Sequence, residues 1–548
     1  VSGLGRWAPQ PGTVVSAVLV SVAFTTPGWP PLACVGMVPW LWSLRSSGGV
    51  ARAVGQGLWL GILLGFGGAF WVAYAVPRYL EVSRAAGIAA LALHSLTHQL
   101  QLPVFAGVYW ARRRAAPPAR FLDVVLLAAL YTGLDWASPK LLGDTLGLAL
   151  HGSTALRQLA AFGGEWTLTW LVVAINLATY ALLDDALARR AGAGRPLRAA
   201  LRRVVWLVGP VVILYGVGTW ELGRVRRAIA DPDRTVRVGV VQGSVPEAVR
   251  RRWADGDPTA ALEALKTYVG ETRSLLERPD PPDLVVWPET SYPGVFRKPE
   301  SDAQLRLNVA FDRTLAEWRV PIVFGAYDRS DRRDRRVLRN ALYFVEPLPE
   351  PRDRELPPMQ VYHKGILFPI GEYVPLLGED QVRPWLPGAA HLEPGGTPRP
   401  YEITVGGGAP LRIGPTICYE DMFADHVAGL ARDGADLLVN VSNDDWFGDY
   451  GAARLHLVVA SLRSVETRLP QVRATNSGYS AIILPDGEIA ARIPFGETGA
   501  LAGRLPIVDL APTVRTRVGE WFAPTCLVLG IVGMAATRAP ERGAAVTS

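Results

Sequence analysis

Cysteine is nearly absent: 548 residues contain only Cys34, Cys418 and Cys526. Three thiols exclude a disulfide-scaffolded fold. Two of them sit in apolar runs, which leaves Cys418 alone in the charged part of the chain. Charge is scarce as well. Only 19% of residues carry one, and from Val14 to about Trp220 acids are confined to scattered positions such as Glu81, Asp123 and Asp135. Two hundred residues of Leu, Ala, Val and Gly, broken by short basic or Pro/Gly-rich links, fit membrane spans better than one large buried helical core. No processing site follows the first apolar run and further runs come after it, so a cleaved leader is not expected.

The runs 58–76, 86–110, 121–136, 162–183 and 204–220 are each near the length that crosses the hydrocarbon. Two shorter ones, 14–24 and 30–44, are joined through TTPGWPP, and FAPTCLVLGIVGMAA lies at 522–536. The expectation is about seven spans, a charged domain, and one more span. In domain terms these are 1–220, 221–520 and 521–548. Basic residues fall in alternate links: Arg45 and Arg52, then Arg112, Arg113, Arg114 and Arg120, then Arg189, Arg190, Arg195, Arg198, Arg202 and Arg203. Intervening links carry only Arg78 and Arg84, or Lys140 and Arg157. The positive-inside rule puts the first set in the cytoplasm, with 221–520 facing outward and Arg538 and Arg542 inside again. Those inner links account for most of the net charge of +6, and no nucleic-acid recognition module is present. The run DRSDRRDRR at 328–336 mixes signs and reads as a solvated hairpin loop, although an outward basic stripe can also touch anionic lipid.

Between 221 and 520 short apolar strands alternate with helices. TVRVGVVQG, PDLVVWPET, VPIVFGAY, RNALYFVEP, LRIGPTICYE, DLLVNVSND and VRATNSGYSAIILPDGEI read as strands or strand pairs. Helical patterns fall at about 259–277, 301–317, 421–433 and 453–469. The expected class is α/β, with polar residues gathered at strand ends, where such folds build sites. Three residues stand there. Glu289 follows a strand and reads equally as a helix cap; Lys364 reads equally as a surface lysine; Cys418 reads equally as core packing. Together they fit one chemistry. A thiol needs conversion toward thiolate to attack a carbonyl, a carboxylate can take its proton, and an ammonium with the backbone N–H of Tyr419 can hold the oxyanion. Glu372 can hold that ammonium or shape the base. His363 and His456 are poorly specified as bases, which argues against a Cys–His site.

WPET at 287–290, YHK…PIGEYVP at 362–375, ICYE at 417–420 and SNDDWFGD at 442–449 resemble the nitrilase superfamily. With the flanking spans, the chain is similar to the apolipoprotein N-acyltransferase family over nearly its whole length. The resemblance implies an αββα sandwich joined to a polytopic helical membrane bundle, with Glu289, Lys364 and Cys418 as a Glu-Lys-Cys triad. Glu372, Tyr419 and Glu420 match supporting residues. Trp446 and Phe447 fall in a loop that family members place near the lipid entrance, where apolar anchoring is an equal reading, and RATNSGYSA at 473–481 matches a site-shaping segment. Gly365 and Ile366 replace the basic residue that often follows the lysine, FPIGEY replaces VPFGEY, and GAARLH retains only His456 of a Pro-His-Gln-His string. The implied reaction moves an acyl chain from a phospholipid, phosphatidylethanolamine in the family, through a Cys418 thioester to the α-amine of a diacylated lipoprotein. No metal or cofactor is implied. The implied location is the bacterial cytoplasmic (inner) membrane, multi-pass, with the catalytic domain on the periplasmic side. A membrane-bound nitrilase-type amidohydrolase and a non-catalytic lipid or lipoprotein binder are the competing readings.

Overall fold

The computed structural model describes residues 7–25, 29–115, 121–192, 196–332, 335–348, 356–375, 381, 391–406 and 408–537. Arg120, Arg195, Arg538, Arg542 and positions 333 and 334 lie outside these. Packing divides the chain into two compact units. The first comprises Val1–Val72, Ile88–Leu222 and Glu520–Ser548; the second comprises Ala73–Gly87 and Gly223–Gly519.

The first unit is helical. Among the described residues, three helices are long and apolar enough to cross a membrane: Val50–Gly68, Glu165–Arg190 and Ala200–Ala230, the last continuing into the second unit. Pro11–Phe24 and Phe522–Ala536 are shorter apolar helices. Three expected runs are divided. Run 30–44 is two short helices, Pro30–Gly36 and Val38–Arg45. The run 58–76 breaks between Val50–Gly68 and Val72–Leu80, where Gly67 and Gly68 weaken the helix. The run 86–110 breaks between Arg84–Thr97 and Gln101–Ala115, across the polar stretch His98, Gln99 and Gln101.

Among the described residues, the second unit is built on two six-stranded sheets. The first is ordered β12-β1-β2-β3-β4-β5, with β1 Arg234–Gln242, β2 Leu284–Val286, β3 Ile322–Arg332, β4 Arg335–Val345, β5 Met359–His363 and β12 Gly499–Ile507. The second is ordered β11-β10-β9-β8-β7-β6, with β6 Tyr401–Thr404, β7 Pro410–Ile417, β8 Leu437–Ser442, β9 Gln471–Thr475, β10 Ala481–Ile483 and β11 Ile489–Arg492. Strand periodicity explains the layers, since alternate residues face opposite sides. Val236, Val238, Val240, Leu284 and Val286 pack against Ile413, Val439, Val441 and Val472 of the other sheet. Their neighbours Val241, Val285 and Trp287 pack outward with Tyr268, Phe311 and Leu315, residues of helices Pro258–Leu276 and Asp302–Glu317. Helix Ala424–Arg432 covers the second sheet through Val427 and Leu430, which cluster with Leu438. The result is an αββα sandwich.

Helix starts follow local chemistry. Asp257 accepts from the backbone N–H of Thr259 at 2.8 Å just ahead of Pro258, a good first helical residue. Ser301 caps Asp302–Glu317 by accepting from the Gln304 N–H. The mixed-sign run 328–336 is less loop than expected: β3 and β4 pair out to Arg332 opposite Arg335.

The segment 73–87 packs within the second unit. Tyr74 meets Tyr450 edge-on at 4.9 Å between centroids, Arg78 Nη2 lies 3.3 Å from Asp445 Oδ2, and Arg251 donates to the Arg78 carbonyl.

Candidate active site

β1, β2 and β3 run parallel, as do β7, β8 and β9. Sites in such sheets form outside the carboxyl ends of the strands. Glu289 stands just beyond β2, Cys418 follows β7 directly, and Lys364 follows β5. All three line one cavity of about 300 Å³, together with Glu372, Asn340 and Trp446.

Lys364 is 1% exposed. Its Nζ lies 2.8 Å from Glu372 Oε2 and 3.6 Å from Glu289 Oε1. Asn340, on β4, joins the two acids by donating from Nδ2 to Glu289 Oε1 at 2.6 Å and to Glu372 Oε1 at 3.0 Å. The other Glu289 oxygen accepts from the Asn443 backbone N–H at 2.8 Å, and the other Glu372 oxygen from that of Phe368 at 2.7 Å. Both carboxylates are thus held at both oxygens. Burial works against the Lys364 ammonium, but Glu372 and Glu289 outweigh it and keep the lysine charged well above the usual range. Burial pushes Glu289 upward, with Lys364 pulling it back and Glu372 adding to the rise. Burial, then the Glu289 charge, pushes the Cys418 thiol up, while Lys364 and a hydrogen bond with Ser442 oppose this. The resting thiol is therefore neutral, beside an acid disposed to accept a proton.

Backbone strain marks the same place. Cys418 has φ 51° and Thr290 φ 46°, both in the left-handed region that side chains avoid. The turn at Cys418 is fixed by Glu420, which is fully buried. One of its oxygens accepts from the Ile417 N–H at 2.7 Å. The other accepts from Tyr362 Oη at 2.7 Å and from the Gly365 and Ile366 N–H groups at 2.6 and 3.1 Å. Glu420 ties the cysteine turn to the lysine loop. Burial raises its carboxyl to about 7 against those donors.

Gly325 of β3 supports the Glu289 loop from behind. A Cβ there would lie 2.5 Å from the Thr290 nitrogen and 2.6 Å from Glu289 Cα. These are backbone atoms that cannot swing aside. Gly325→Ala is expected to shift Glu289 by a fraction of an ångström, slowing any reaction at Cys418 that depends on Glu289 roughly 100-fold. The added methyl should also destabilise the fold by about 1–3 kcal/mol. A rate assay beside a thermal melt checks both.

Phe368 meets Tyr419 edge-on at 5.2 Å and packs on Trp446 at 5.1 Å, while Tyr79 lies 5.9 Å from Trp446. These rings form an apolar wall, and Tyr79 and Trp446 face the cavity. Phe447 does not; it is 2% exposed and stacked beneath Trp446 at 3.8 Å.

Sequence reasoning missed Asn340 and, beyond the match of 473–481 to a site-shaping segment, did not foresee a charged cluster of Asp421, Asp444, His456 and Arg473. His456 Nε2 lies 2.8 Å from Asp421 Oδ1 and its Nδ1 lies 3.1 Å from Asp444 Oδ1. Arg473 donates to Asp421 Oδ2 at 3.0 Å, to Asp444 Oδ2 at 2.9 Å and to Asn440. Ser442, whose hydroxyl counters the rise at Cys418, donates to Asp444 Oδ1 at 2.7 Å. With both ring nitrogens engaged, His456 is a brace and not the base for the thiol. His363 is engaged through Nε2, 2.8 Å from Asp328 Oδ2.

Burial and Arg473 push His456 down, but Asp421 and Asp444 prevail and raise it to about 9. A folded-state value above the unfolded one adds stability that is complete below about 6.5 and lost as pH rises through about 9. The raised Glu420 acts in the same direction but is finished near 7. Thermal melts should therefore decline above pH 7 by the equivalent of about 3 kcal/mol. His456→Gln should lower stability at neutral pH and flatten that decline; an unchanged slope would contradict the assignment.

Residues 237–515 match the carbon-nitrogen hydrolase family and residues 16–178 match the apolipoprotein N-acyltransferase N-terminal domain. The chain belongs to the carbon-nitrogen hydrolase family. An apolipoprotein N-acyltransferase of Azotobacter vinelandii is 30% identical, over 96% of this chain and 96% of its own length. One of Bdellovibrio bacteriovorus is 26% identical over 98% of this chain and 95% of its own. Within its class, then, the chain belongs to the apolipoprotein N-acyltransferases, membrane-associated enzymes that act on lipoproteins. An amidase from Nesterenkonia sp. is 17% identical, with 50% of this chain and 91% of that one covered and a TM-score of 0.34.

Proposed function

We propose that Glu289, Lys364 and Cys418 form the catalytic triad of a two-step acyl transfer. The observation that carries this is the charged Lys364, held between Glu289 and Glu372 in the cavity that contains the cysteine. In the first step Sγ attacks an ester carbonyl of a phospholipid while Glu289 takes the thiol proton. Lys364 and the Tyr419 N–H stabilise the tetrahedral oxyanion. Collapse expels the glycerol oxygen, which recovers the proton from Glu289, and leaves a thioester and a lysophospholipid. In the second step the α-amine of a diacylglyceryl-cysteine attacks the thioester, Glu289 accepts a proton from the amine nitrogen, and the Cys418 sulfur leaves and is reprotonated. Glu372 and Asn340 orient the lysine and the base; Glu420 holds the two loops.

Phosphatidylethanolamine is the proposed donor, with the sn-1 chain transferred and ping-pong kinetics. Residues 1–220 and 521–548 are proposed as the membrane part in the bacterial cytoplasmic membrane. Residues 221–520 then face the periplasm, as the distribution of basic links supports. Acyl chains that stay in lipid avoid an exposure cost of roughly 0.8 kcal/mol per CH₂.

Intact-mass spectrometry tests this. Protein incubated with phosphatidylethanolamine should gain one acyl mass, stable in buffer and lost when a diacylated lipopeptide is added, with the acyl group recovered on the peptide amine. Equal clearance by buffer alone, with no acylated peptide, would support the amidohydrolase-type reading in its place.

A further inference from the structure

The run of three arginines at 250–252 lies on helix Glu247–Ala254 at the rim of the reaction cavity. Two are engaged. Arg251 pairs with Glu81 at 3.2 Å and Glu247 at 3.2 Å, and Arg252 pairs with Asp257 at 2.6 Å. Arg250 differs. Its side chain is only 13% exposed, and its nearest carboxylate oxygen, on Glu247, is 3.9 Å from Nε. Nη2 donates to Thr290 Oγ1 at 2.7 Å, and the guanidinium lies 5.3 Å from the centre of the Trp253 ring. Nη1 is buried and, among the described residues, has no hydrogen-bond partner. An arginine is always charged, and a buried charged donor left unfilled is costly. Such a group calls for an explanation.

We infer that Arg250 is a specificity-determining residue that receives the phosphate of the phospholipid donor while the donor's ester lies at Cys418. This rests on the acyl-transfer reading above. Two features suit the guanidinium to phosphate. Thr290 fixes one edge and Trp253 lies against it, leaving Nη1 unfilled on a residue that lines the same cavity as Cys418. A planar fork with free N–H groups matches phosphate oxygens better than a point charge does. The acyl acceptor is recognised by its amine and carries no phosphate, so the contact belongs to the first half-reaction alone. The alternative role for Arg250 is internal: through Thr290 it adjoins Glu289, and its charge favours the ionised form of that acid.

Thioester formation by the full-length protein, read by intact mass, separates the two. Arg250→Gln and Arg250→Lys would be compared with wild type on phosphatidylethanolamine and on p-nitrophenyl palmitate, an ester without phosphate. The expected result is a rise in KM of tenfold or more for the phospholipid with Arg250→Gln, a change in kcat below threefold, and partial rescue by lysine. Rates with the p-nitrophenyl ester should stay within twofold of wild type, which also confirms folding. Equal losses on both donors would overturn the inference and assign Arg250 to Glu289. An unchanged phospholipid KM would overturn it too, including where inorganic phosphate inhibits wild type and so occupies the site as a free anion. Wild-type protein that forms no Cys418 thioester from either donor would instead overturn the acyl-transfer reading, and this inference with it.

Discussion

Cys418→Ala protein is expected to acquire no acyl mass from phospholipid and to pass none to a lipopeptide, with turnover at the uncatalysed background. In the proposed mechanism every other polar group at the site assists a bond that only the sulfur forms, so no residual route is left. Alanine is the informative substitution because it isolates the chemistry. The position has φ 51°, and alanine meets the same left-handed penalty as cysteine, so backbone strain is unchanged. Only one buried sulfur is removed, and the expected stability change is about 1 kcal/mol or less. The Glu289–Lys364–Glu372–Asn340 arrangement makes its hydrogen bonds without the thiol and should persist. Phospholipid binding is therefore retained while thioester formation is lost. Acyl mass on the alanine variant, or turnover above background, would remove Cys418 from the mechanism.

Lys364→Met should be nearly as severe, and for two reasons that can be separated. Removing the ammonium takes away the proposed oxyanion donor, typically worth about 10²–10³ in rate. It also leaves Glu289 and Glu372 facing each other across Asn340 with no cation between them. Two adjacent buried carboxyls cannot both ionise, so one takes up a proton. If that one is Glu289, the base is lost, for a further factor of about 10². Thioester formation should fall on the order of 10⁴-fold. Breaking a buried ion pair should also cost about 3–5 kcal/mol of stability. The double variant Lys364→Met/Glu372→Gln divides these effects. It relieves the charge conflict and should recover much of the melting temperature without recovering the rate. Restored thioester formation in the double variant would reduce Lys364 to a structural counter-ion.

The site's chemistry was more legible in the sequence than its supports were. Glu289, Lys364 and Cys418 follow apolar strands, so each breaks a local pattern. Asn340 does not. It sits inside RNALYFVEP, where a polar residue reads as ordinary strand alternation. Its value comes from facing two acids, 51 and 32 positions away in the chain. The Asp421–His456–Asp444–Arg473 cluster was hidden for the same reason: its members lie on different elements, and pairing across them is a tertiary fact. The sandwich layers were readable because strand periodicity is local, yet β12 was missed, since GALAGRLPI is mostly Gly, Ala and Leu and has only Ile507, at its end, of the β-branched residues that mark a strand. Composition alone ran past three helix breaks in the apolar runs, because hydropathy registers apolar content and not where the helical ladder is interrupted.

The segment Ala73–Gly87 has a consequence for modularity. It supplies Tyr79 and Glu81 to the reaction cavity, yet it precedes Gly223, where the rest of its unit resumes, by more than a hundred residues of the first unit's helices. A fragment cut at Gly223 would carry the thiol, the lysine and both acids with one side of their cavity missing. The hydrolase-like portion is thus not a cassette that recombination could lift out whole. Insertions between residues 87 and 223 lengthen a connection within the second unit as surely as they change the first.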